Sequence, residues 1–303
     1  MTIRVGNHVT QALAAHRPVL ALESTIITHG LPRPRNLEVA LATEEQVCNL
    51  GVTPATIGVV GGECVIGCTT DDLRALALDE SVVKLSIRDL PIAAALGLSG
   101  GTTVAATATL ACQAGIKVFS TGGLGGVHRG ASHTFDESAD LPSLATTPLV
   151  LVSAGVKSIL DVGATLERLE TLSIPVLGWQ TRAYPGFYIA DSGFTVDYQA
   201  DTPEQVAAIA AARDELGLRA AVLIAKPLPA EHQLDKALHD RVLAAGLAEV
   251  DAQGIRGHDI TPFLLDYMQH HTGGESLEAN LAAYRGNVEL GARIATAIAA
   301  TWG

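Results

Sequence analysis

Residues 19–62 read VLALESTIITHGLPRPRNLEVALATEEQVCNLGVTPATIGVVGG, and this stretch decides the class of fold. VLALEST (19–25) and ATIGVVGG (55–62) are short apolar runs bounded by polar or glycine residues, which predicts buried strands. Between them, NLEVALATEEQVCNLG (36–51) has apolar residues at helical spacing and ends at a glycine, as many helices do. A strand, a helix and a second strand in this order favour parallel strands joined by a crossover helix.

The same alternation continues through most of the chain. Further strands are predicted at VVKLS (82–86), KVFSTGG (117–123), PLVLVSAG (148–155), IPVLGWQ (174–180) and AAVLIA (220–225), with helices over 103–115, 157–172 and 202–217. From about residue 230 onward the pattern predicts helices only. We therefore expect a single domain over residues 1–303, in which helices cover both faces of a largely parallel sheet.

Composition excludes several classes of protein. The 303 residues carry a formal net charge of −12, which argues against a broadly cationic nucleic-acid surface. A hydrophobic fraction of 48% argues against disorder, and no apolar run is long enough for a spanning helix. No secretory signal is visible, and the four cysteines suit a reducing compartment. We expect a cytoplasmic protein with neither a membrane nor a nucleic acid as partner.

Glu23 is a candidate acid because it ends an apolar strand. Ligands of open α/β sheets bind beyond the carboxyl ends of the strands, where this residue lies. Apolar surroundings disfavour a carboxylate and raise its pKa, which suits general-acid catalysis near neutral pH. A structural role, in which Glu23 accepts hydrogen bonds from the next loop, is about equally compatible with the sequence.

The segment SGGTTVAAT (99–107) places glycines and threonines before a predicted helix. The free N–H groups and the positive dipole end of a helix N-terminus attract phosphate. Its spacing fits neither a dinucleotide-binding nor a P-loop motif, so for this segment alone an ordinary helix cap is the preferred interpretation.

The segment STGGLGGVHRGASHTFDESADL (120–141) is the strongest local signal. Five glycines fall within it near a strand end, and backbone without side chains can approach a ligand closely. Asp136 and Asp140 supply hard oxygen donors, which suit Mg²⁺ or Mn²⁺ better than Zn²⁺. The alternative is a polar surface loop without a ligand.

Two of the five lysines lie in apolar contexts. A lysine amine can form a Schiff base, which arginine cannot do. Lys157 follows a buried strand and opens a predicted helix, whose positive end, together with desolvation, favours the neutral amine. Lys84 lies within an apolar strand and needs a partner such as a phosphate. Taken singly, each lysine could instead extend to solvent.

Seven segments, in order from about residue 19 to residue 295, together resemble one protein family. They are LESTIITHGLPRPRN (22–36), VVKLSIRDL (82–90), SGGTTVAAT (99–107), FSTGGLGGVHRGASHTFDESADL (119–141), VSAGVKSILD (152–161), TPFLL (261–265) and SLEAN (276–280). The family is that of the pseudouridine-5′-phosphate glycosidases, which includes proteins named for indigoidine biosynthesis. The resemblance implies a three-layer α/β/α fold, a homotrimer and a Mn²⁺-dependent reversible cleavage of pseudouridine 5′-phosphate to uracil and ribose 5-phosphate.

The same resemblance implies roles for particular residues. Glu23 matches the proton donor, Lys157 the Schiff-base lysine and Asp136 the metal ligand. Substrate contacts are implied for Lys84, Val104, Thr121, His128, Ser138, Ala139, Asp140 and Asn280.

Three other functions are compatible with parts of the sequence. A Schiff-base aldolase or lyase acting on another sugar phosphate would share Lys157 and the phosphate site but would need no nucleobase pocket. A sugar kinase is disfavoured because no ATP-phosphate loop is recognisable. A non-catalytic binding protein is disfavoured by the joint presence of Glu23, Lys157 and Asp136.

Overall fold

In the computed structural model, which describes residues 3–302, alternate strand residues enter two separate cores. Val19 and Ala21 pack in one core, whereas Leu20 and Leu22 pack in the other. Because both faces of the sheet are covered, its central strands are apolar throughout rather than alternating between apolar and polar residues.

The described residues form eleven strands. They are β1 (Ile3–Val5), β2 (Val19–Leu22), β3 (Thr53–Val60), β4 (Glu63–Ile66), β5 (Val83–Leu85), β6 (Gly100–Thr102), β7 (Val118–Ser120), β8 (Val150–Ser153), β9 (Val176–Trp179), β10 (Tyr198–Ala200) and β11 (Val222–Ala225). The main order is β1-β4-β3-β2-β7-β8-β11-β9-β10. All neighbours from β3 to β10 along this order are parallel, whereas β3 pairs antiparallel with β4 and with β6.

Helices surround this sheet. They are α1 (Asn7–Ala14), α2 (Thr25–His29), α3 (Arg35–Asn49), α4 (Thr70–Leu78), α5 (Leu90–Leu96), α6 (Val104–Gln113), α7 (Ala131–Thr134), α8 (Asp140–Leu144), α9 (Val162–Thr171), α10 (Pro203–Glu215), α11 (Lys236–Gln253), α12 (Ile260–His271) and α13 (Glu275–Ala299). Short 3₁₀ turns occur at 87–89, 230–232, 257–259 and 300–302.

The helices form a layer on each face of the sheet. Helices α3, α4, α10 and α13 contribute to one core, and α1, α6, α8, α9, α11 and α12 contribute to the other. The largely parallel sheet, the two helical layers and the helical C-terminal segment confirm the predicted fold class. Within residues 3–302, no helix combines the length and the apolar character needed to cross a membrane.

Some elements differ from the sequence prediction. Strands β1, β4, β6 and β10 were not predicted, and each has only three or four residues. The sequence of β6 is Gly-Gly-Thr, which has no strand signal of its own; its pairing with β3 and β5 supplies the structure. The helix predicted from residue 157 begins at Val162. The side chain of Asp161 caps it by accepting the Ala164 N–H at 3.0 Å.

Helix α13 packs directly on the sheet beside β2, β7 and β8. Its Gly291 permits this close approach: a Cβ there would lie 2.0 Å from Ser120 Oγ and 3.0 Å from Leu20 Cδ1. On the same helix, a Cβ at Gly286 would meet only the flexible end of Lys226, 2.8 Å from its Nζ.

These two glycines give a matched test of the packing. We expect Gly291→Ala to lower the free energy of unfolding by about 1–3 kcal/mol, since the added methyl overpacks the contact with β7. Gly286→Ala should be neutral or stabilising by up to about 1 kcal/mol, because alanine is the better helix former. Urea denaturation measures both, and equal effects of the two substitutions would contradict the close contact at Gly291.

Candidate active site

The parallel register brings the ends of β2, β7 and β8 to the same edge of the sheet. Leu22 pairs with Ser120, so the next residues, Glu23 and Thr121, lie side by side. Ser120 pairs in turn with Val152 of β8. Three segments that lie apart in the sequence, after residues 22, 120 and 153, therefore meet at one edge, where ligands of such sheets bind.

Glu23 is almost completely buried, with 5% of its surface exposed. The Thr121 hydroxyl donates a hydrogen bond to Glu23 Oε1, and Thr25 Oγ1 lies 2.9 Å from Oε2. Burial raises the pKa of Glu23, whereas the charge of Lys157 and the two hydroxyls act in the opposite direction. The result is a carboxyl that holds its proton to higher pH, as a general acid must.

The hydroxyl of Thr25 is shared between Glu23 and a second acceptor. Thr25 Oγ1 also lies 2.7 Å from the carbonyl oxygen of Thr102, which can only accept a hydrogen bond. The hydroxyl has one proton, so it cannot donate to both oxygens at once. If it donates to Thr102, the contact with Glu23 is satisfied when the carboxyl is protonated and donates to Thr25.

Lys157 lies on an extension of β8 that pairs with the glycine-rich segment. Its N–H donates to the carbonyl of Leu124 at 3.0 Å, and the Leu124 N–H donates to Gly155 at 2.9 Å. The side chain is half-buried and faces the same cavity as Glu23. Since α9 begins at Val162, the positive end of that helix does not lie at this amine, contrary to the sequence prediction.

The glycine-rich segment is held by the carboxylate of Asp140. This buried side chain accepts the N–H of Gly125 at 2.9 Å and the N–H of Ala105, in the first turn of α6, at 2.9 Å. A Cβ at Gly125 would lie 2.3 Å from Ser138 Oγ and 2.5 Å from Asp140 Oδ2, so this position requires glycine. Each carboxylate oxygen of Asp140 therefore already accepts a backbone N–H group, which leaves fewer of its lone pairs available to a metal ion.

The helix start at 99–107 has the ordinary helix cap that was the preferred interpretation of this segment. Gly100 and Gly101 belong to β6, where side chains would overlap Leu85 and Thr28. Thr103 caps α6, as an ordinary helix cap would, and the carboxylate of Asp140 already lies at this N-terminus. The free N–H groups at the start of α6 are thus partly hydrogen-bonded by the side chains of Thr103 and Asp140.

One cavity of about 640 Å³ collects nearly all the predicted site residues. It is lined by Glu23, Lys84, Val104, His128, Asp136, Ser138, Ala139, Asp140, Lys157 and Asn280. The remaining predicted residue, Thr121, is buried beside Glu23 and bonds to it. The structure therefore brings together residues from eight separate stretches of the sequence.

Lys84 gives this cavity a cationic side. It lies in β5 opposite Gly101, and Ser86 and Arg88 of the following turn line the cavity with it. Burial lowers the pKa of Lys84, the charge of Lys157 lowers it further, and Asp140 and Glu23 act in the opposite direction. An anionic group bound here would compensate the two lysine charges.

His128 and Asp136 are the groups nearest to a metal site. They face each other across a loop in which the His128 N–H donates to Asp136 O at 3.0 Å, and His128 Nδ1 lies 3.9 Å from Asp136 Oδ2. Within residues 3–302, no three His, Cys, Asp or Glu side chains form a group that could hold a metal ion. This donor set fits an ion such as Mn²⁺ or Mg²⁺ that keeps most of its water ligands, and it does not fit a protein-enclosed ion.

Sequence reasoning missed several residues of the site. The side-chain amide of Asn287, on α13, donates to the carbonyl oxygens of Thr121 at 2.8 Å and Gly122 at 3.2 Å. It thereby fixes the backbone of Thr121, whose hydroxyl donates a hydrogen bond to Glu23. Phe187 lines the cavity from the loop between β9 and β10. Neither residue lies near a strand end with a recognisable motif, so only the tertiary structure reveals them.

The fold and the cavity define an α/β enzyme with a polar site at the carboxyl edge of its sheet. The chain belongs to the family of indigoidine synthase A-like proteins, whose family model matches residues 8–297. This result confirms the family expected from the sequence.

Close relatives carry one name. A protein of Saccharopolyspora erythraea is 63% identical over 97% of both chains, and one of Frankia alni is 56% identical over 98% of this chain and 82% of its own. Both are named pseudouridine-5′-phosphate glycosidase. These identities confirm that the chain is an enzyme.

Two solved structures share the fold. The prealnumycin C-glycosynthase AlnA, in complex with ribulose 5-phosphate, superposes with a TM-score of 0.92 at 34% identity, over 100% of this chain and 98% of its own. An indigoidine synthase A-like protein of Thermotoga maritima superposes with a TM-score of 0.90 at 35% identity, over 99% and 97%.

The raised pKa of Glu23 has a measurable consequence for stability. Folded protein binds this proton more tightly than unfolded chain, so the free energy of unfolding falls as pH rises from the unfolded pKa through the folded pKa. Glu23→Gln removes this dependence. We expect the stability of the variant relative to wild type to increase with pH over that window and then to level off.

Urea denaturation over a pH series measures this difference. Glu38→Gln, at an exposed position on α3, serves as the control for the same substitution outside the site. A Glu23→Gln difference that decreases with rising pH would contradict a raised pKa.

Proposed function

We propose that this chain reversibly cleaves the C–C glycosidic bond of pseudouridine 5′-phosphate, giving uracil and ribose 5-phosphate. The observation that carries the proposal is the joint presence of a buried acid, Glu23, and an amine, Lys157, in one cavity that also has a cationic side. The name shared by the relatives described above supports the same reaction.

The C–C bond explains why an amine is needed. In an N-glycoside the departing nitrogen can accept a proton, whereas C5 of uracil has no lone pair and must take the bonding electrons as it leaves. A covalently bound amine supplies a compensating electron source at C1′, since its lone pair can form a C=N bond as the C–C bond breaks.

The reaction then proceeds in balanced steps. Glu23 gives its proton to the ring oxygen O4′ while the Lys157 amine attacks C1′, so that the C1′–O4′ bond breaks and a C1′–N bond forms. The attack leaves an ammonium on C1′, and the carboxylate of Glu23 takes a proton from it, which restores the nitrogen lone pair. That proton is then delivered to C5 of uracil, and the C1′–C5 bond breaks as the nitrogen lone pair forms the iminium. Water then hydrolyses the iminium, which releases ribose 5-phosphate and restores the lysine amine.

The remaining residues position the substrate. Lys84 and the backbone at Val104 bind the 5′-phosphate, and Ser138 to Asp140 contact the sugar side of the cavity. Asn280 is 8% exposed, and in the described part of the chain its side-chain amide makes no hydrogen bond. An amide offers both a donor and an acceptor, which complements the imide edge of uracil.

Asp136, with His128 beside it, would hold a Mn²⁺ ion whose other ligands are water. When bound, such an ion polarises and orients oxygen atoms of the substrate. The ion's ligand Asp136 lies in the same loop as Ser138 and Asp140, so the loop would respond to metal binding and to substrate together.

A direct test of the proposal follows uracil release from pseudouridine 5′-phosphate. Wild type should release uracil, and Lys157→Ala should lose at least about 1,000-fold in turnover because the covalent step is removed. Lys226→Ala is the matched control: Lys226 is also half-buried and follows the neighbouring strand β11, but it does not line the cavity. The control variant should keep wild-type turnover.

The rival function gives a different result. If the wild-type protein released no uracil at any Mn²⁺ concentration but was still labelled at Lys157 by borohydride with ribose 5-phosphate, it would be a Schiff-base aldolase or lyase acting on another sugar phosphate. Full activity of Lys157→Ala would contradict the covalent mechanism itself.

The metal proposal is tested by Asp136→Ala. We expect Mn²⁺ to bind at least about tenfold more weakly, as electron paramagnetic resonance of the free ion measures directly, because the carboxylate ligand is lost. Asp140→Asn is the comparison: its carboxylate is taken by backbone N–H groups, so its Mn²⁺ affinity should change little. The opposite ranking of the two variants would assign the ion to Asp140.

A further inference from the structure

Phe187 has a strained backbone in the loop between β9 and β10. The N–H of Tyr188 donates to the carbonyl of Gly186 at 2.8 Å, which closes a three-residue turn around Phe187. The φ angle of Phe187 is +67°, which makes this the rarer and more strained of the two γ-turn types. A bulky residue with positive φ persists only where the surroundings require it, and such residues cluster at functional sites.

The loop is braced against the strand extension that carries Lys157. The hydroxyl of Tyr184 accepts the N–H of Val156 at 3.1 Å, and Gly155, with a φ of +82°, lies under Pro185. A Cβ at Gly155 would be 2.7 Å from the carbonyl oxygen of Pro185. The strained turn and the lysine segment are thus one packed unit.

The ring of Phe187 lies close both to the stem of Lys157 and to the amide of Asn280. A Cβ at Gly123 would be 2.5 Å from Phe187 Cε2 and 3.1 Å from Lys157 Cγ, so ring and lysine stem share the space that this glycine leaves. Next along the chain, a Cβ at Gly122 would be 4.0 Å from the same ring atom and 3.2 Å from Asn280 Oδ1.

Phe187 is also the only Phe, Tyr or Trp among the described residues that line the cavity. Phe187 is 2% exposed as a whole residue, so its apolar ring is packed into the wall of the cavity rather than placed on the surface. Lys84 and Arg88 come instead from a different stretch of the fold, whereas Lys157 lies beside the ring. The cavity therefore has an aromatic part that is distinct from the side formed by Lys84 and Arg88.

We propose that Phe187 determines base specificity, as the wall against which the pyrimidine ring packs while Asn280 bonds to its edge. The inference rests on the proposed function. In that reaction the base is joined directly to C1′, the atom that Lys157 attacks. The base must then lie beside the lysine stem, where the ring of Phe187 is the neighbouring surface.

Phe187→Leu tests this role because it keeps an apolar side chain and removes the aromatic ring. In the synthetic direction, with ribose 5-phosphate and uracil as substrates, we expect the KM for uracil to rise about tenfold, as loss of an aromatic contact to a base does. The KM for ribose 5-phosphate should stay within about twofold, since the sugar is held by other groups. Phe194→Leu, the same change at a partly exposed residue outside the cavity, should alter neither value.

A second measurement separates a specific role from general damage. Borohydride with ribose 5-phosphate should label Phe187→Leu as fully as wild type, which shows that the folded site and its amine are intact. The inhibitor 5,6-dihydrouracil keeps the imide edge of uracil but is not flat. Wild type should bind it about tenfold more weakly than uracil, and Phe187→Leu should bind the two compounds nearly equally.

Two results would overturn the inference. One is an unchanged ratio of dihydrouracil to uracil affinity in Phe187→Leu, which would leave the ring a packing residue only. The other is a loss of ribose 5-phosphate labelling together with a normal KM for uracil, which would place the action of Phe187 on the lysine. Failure of wild type to use uracil at all would refute the proposed function instead, so the two failures are distinguishable.

Discussion

The parallel register of β2, β7 and β8 is the constraint on which the site depends. Because Leu22 pairs with Ser120, Glu23 leaves the sheet directly beside Thr121, and the hydroxyl of Thr121 bonds to the carboxyl. Helix α13 fixes the same point from the other side through Asn287, which holds the carbonyl of Thr121. A carboxyl placed this way loses its hydration, and this loss favours the protonated form, although the two hydroxyls and the charge of Lys157 act against it.

The charges of Lys157, Lys84 and Asp140 act on one another and on Glu23. The positive charge of Lys157 acts on both Glu23 and Lys84, and Asp140 balances part of it while its oxygens bind backbone N–H groups. Burial and the charge of Lys157 lower the pKa of Lys84, so an anionic group is favoured beside these two lysines.

The sequence predicted the fold class because the strands are apolar on both faces and the helices have clear ends. It also predicted Glu23 and Lys157 as candidates, since both follow strands whose carboxyl ends must share an edge. It could not predict β6, whose Gly-Gly-Thr sequence becomes a strand only by pairing, nor the start of α9 at Val162.

The contacts of Asp140 and Phe187 were also hidden from the sequence, for a physical reason. From sequence alone, a carboxylate in a polar loop that could bind a metal ion is indistinguishable from one that accepts backbone N–H groups, as Asp140 does. The positive φ of Phe187 arises from a turn closed by tertiary packing, and an aromatic residue in a Pro-Gly-Phe-Tyr sequence gives no sign of it. The local sequence pattern identifies residues that are able to take part in chemistry. The tertiary contacts of each residue decide which of them are free to do so.

A crystal structure of the protein soaked with ribose 5-phosphate and reduced with borohydride would test the central claim most directly. The account predicts continuous electron density from Lys157 Nζ to C1′ of an opened sugar, with the phosphate beside Lys84. A sugar joined to Lys84, or a closed ring bound without any covalent link to the protein, would contradict it.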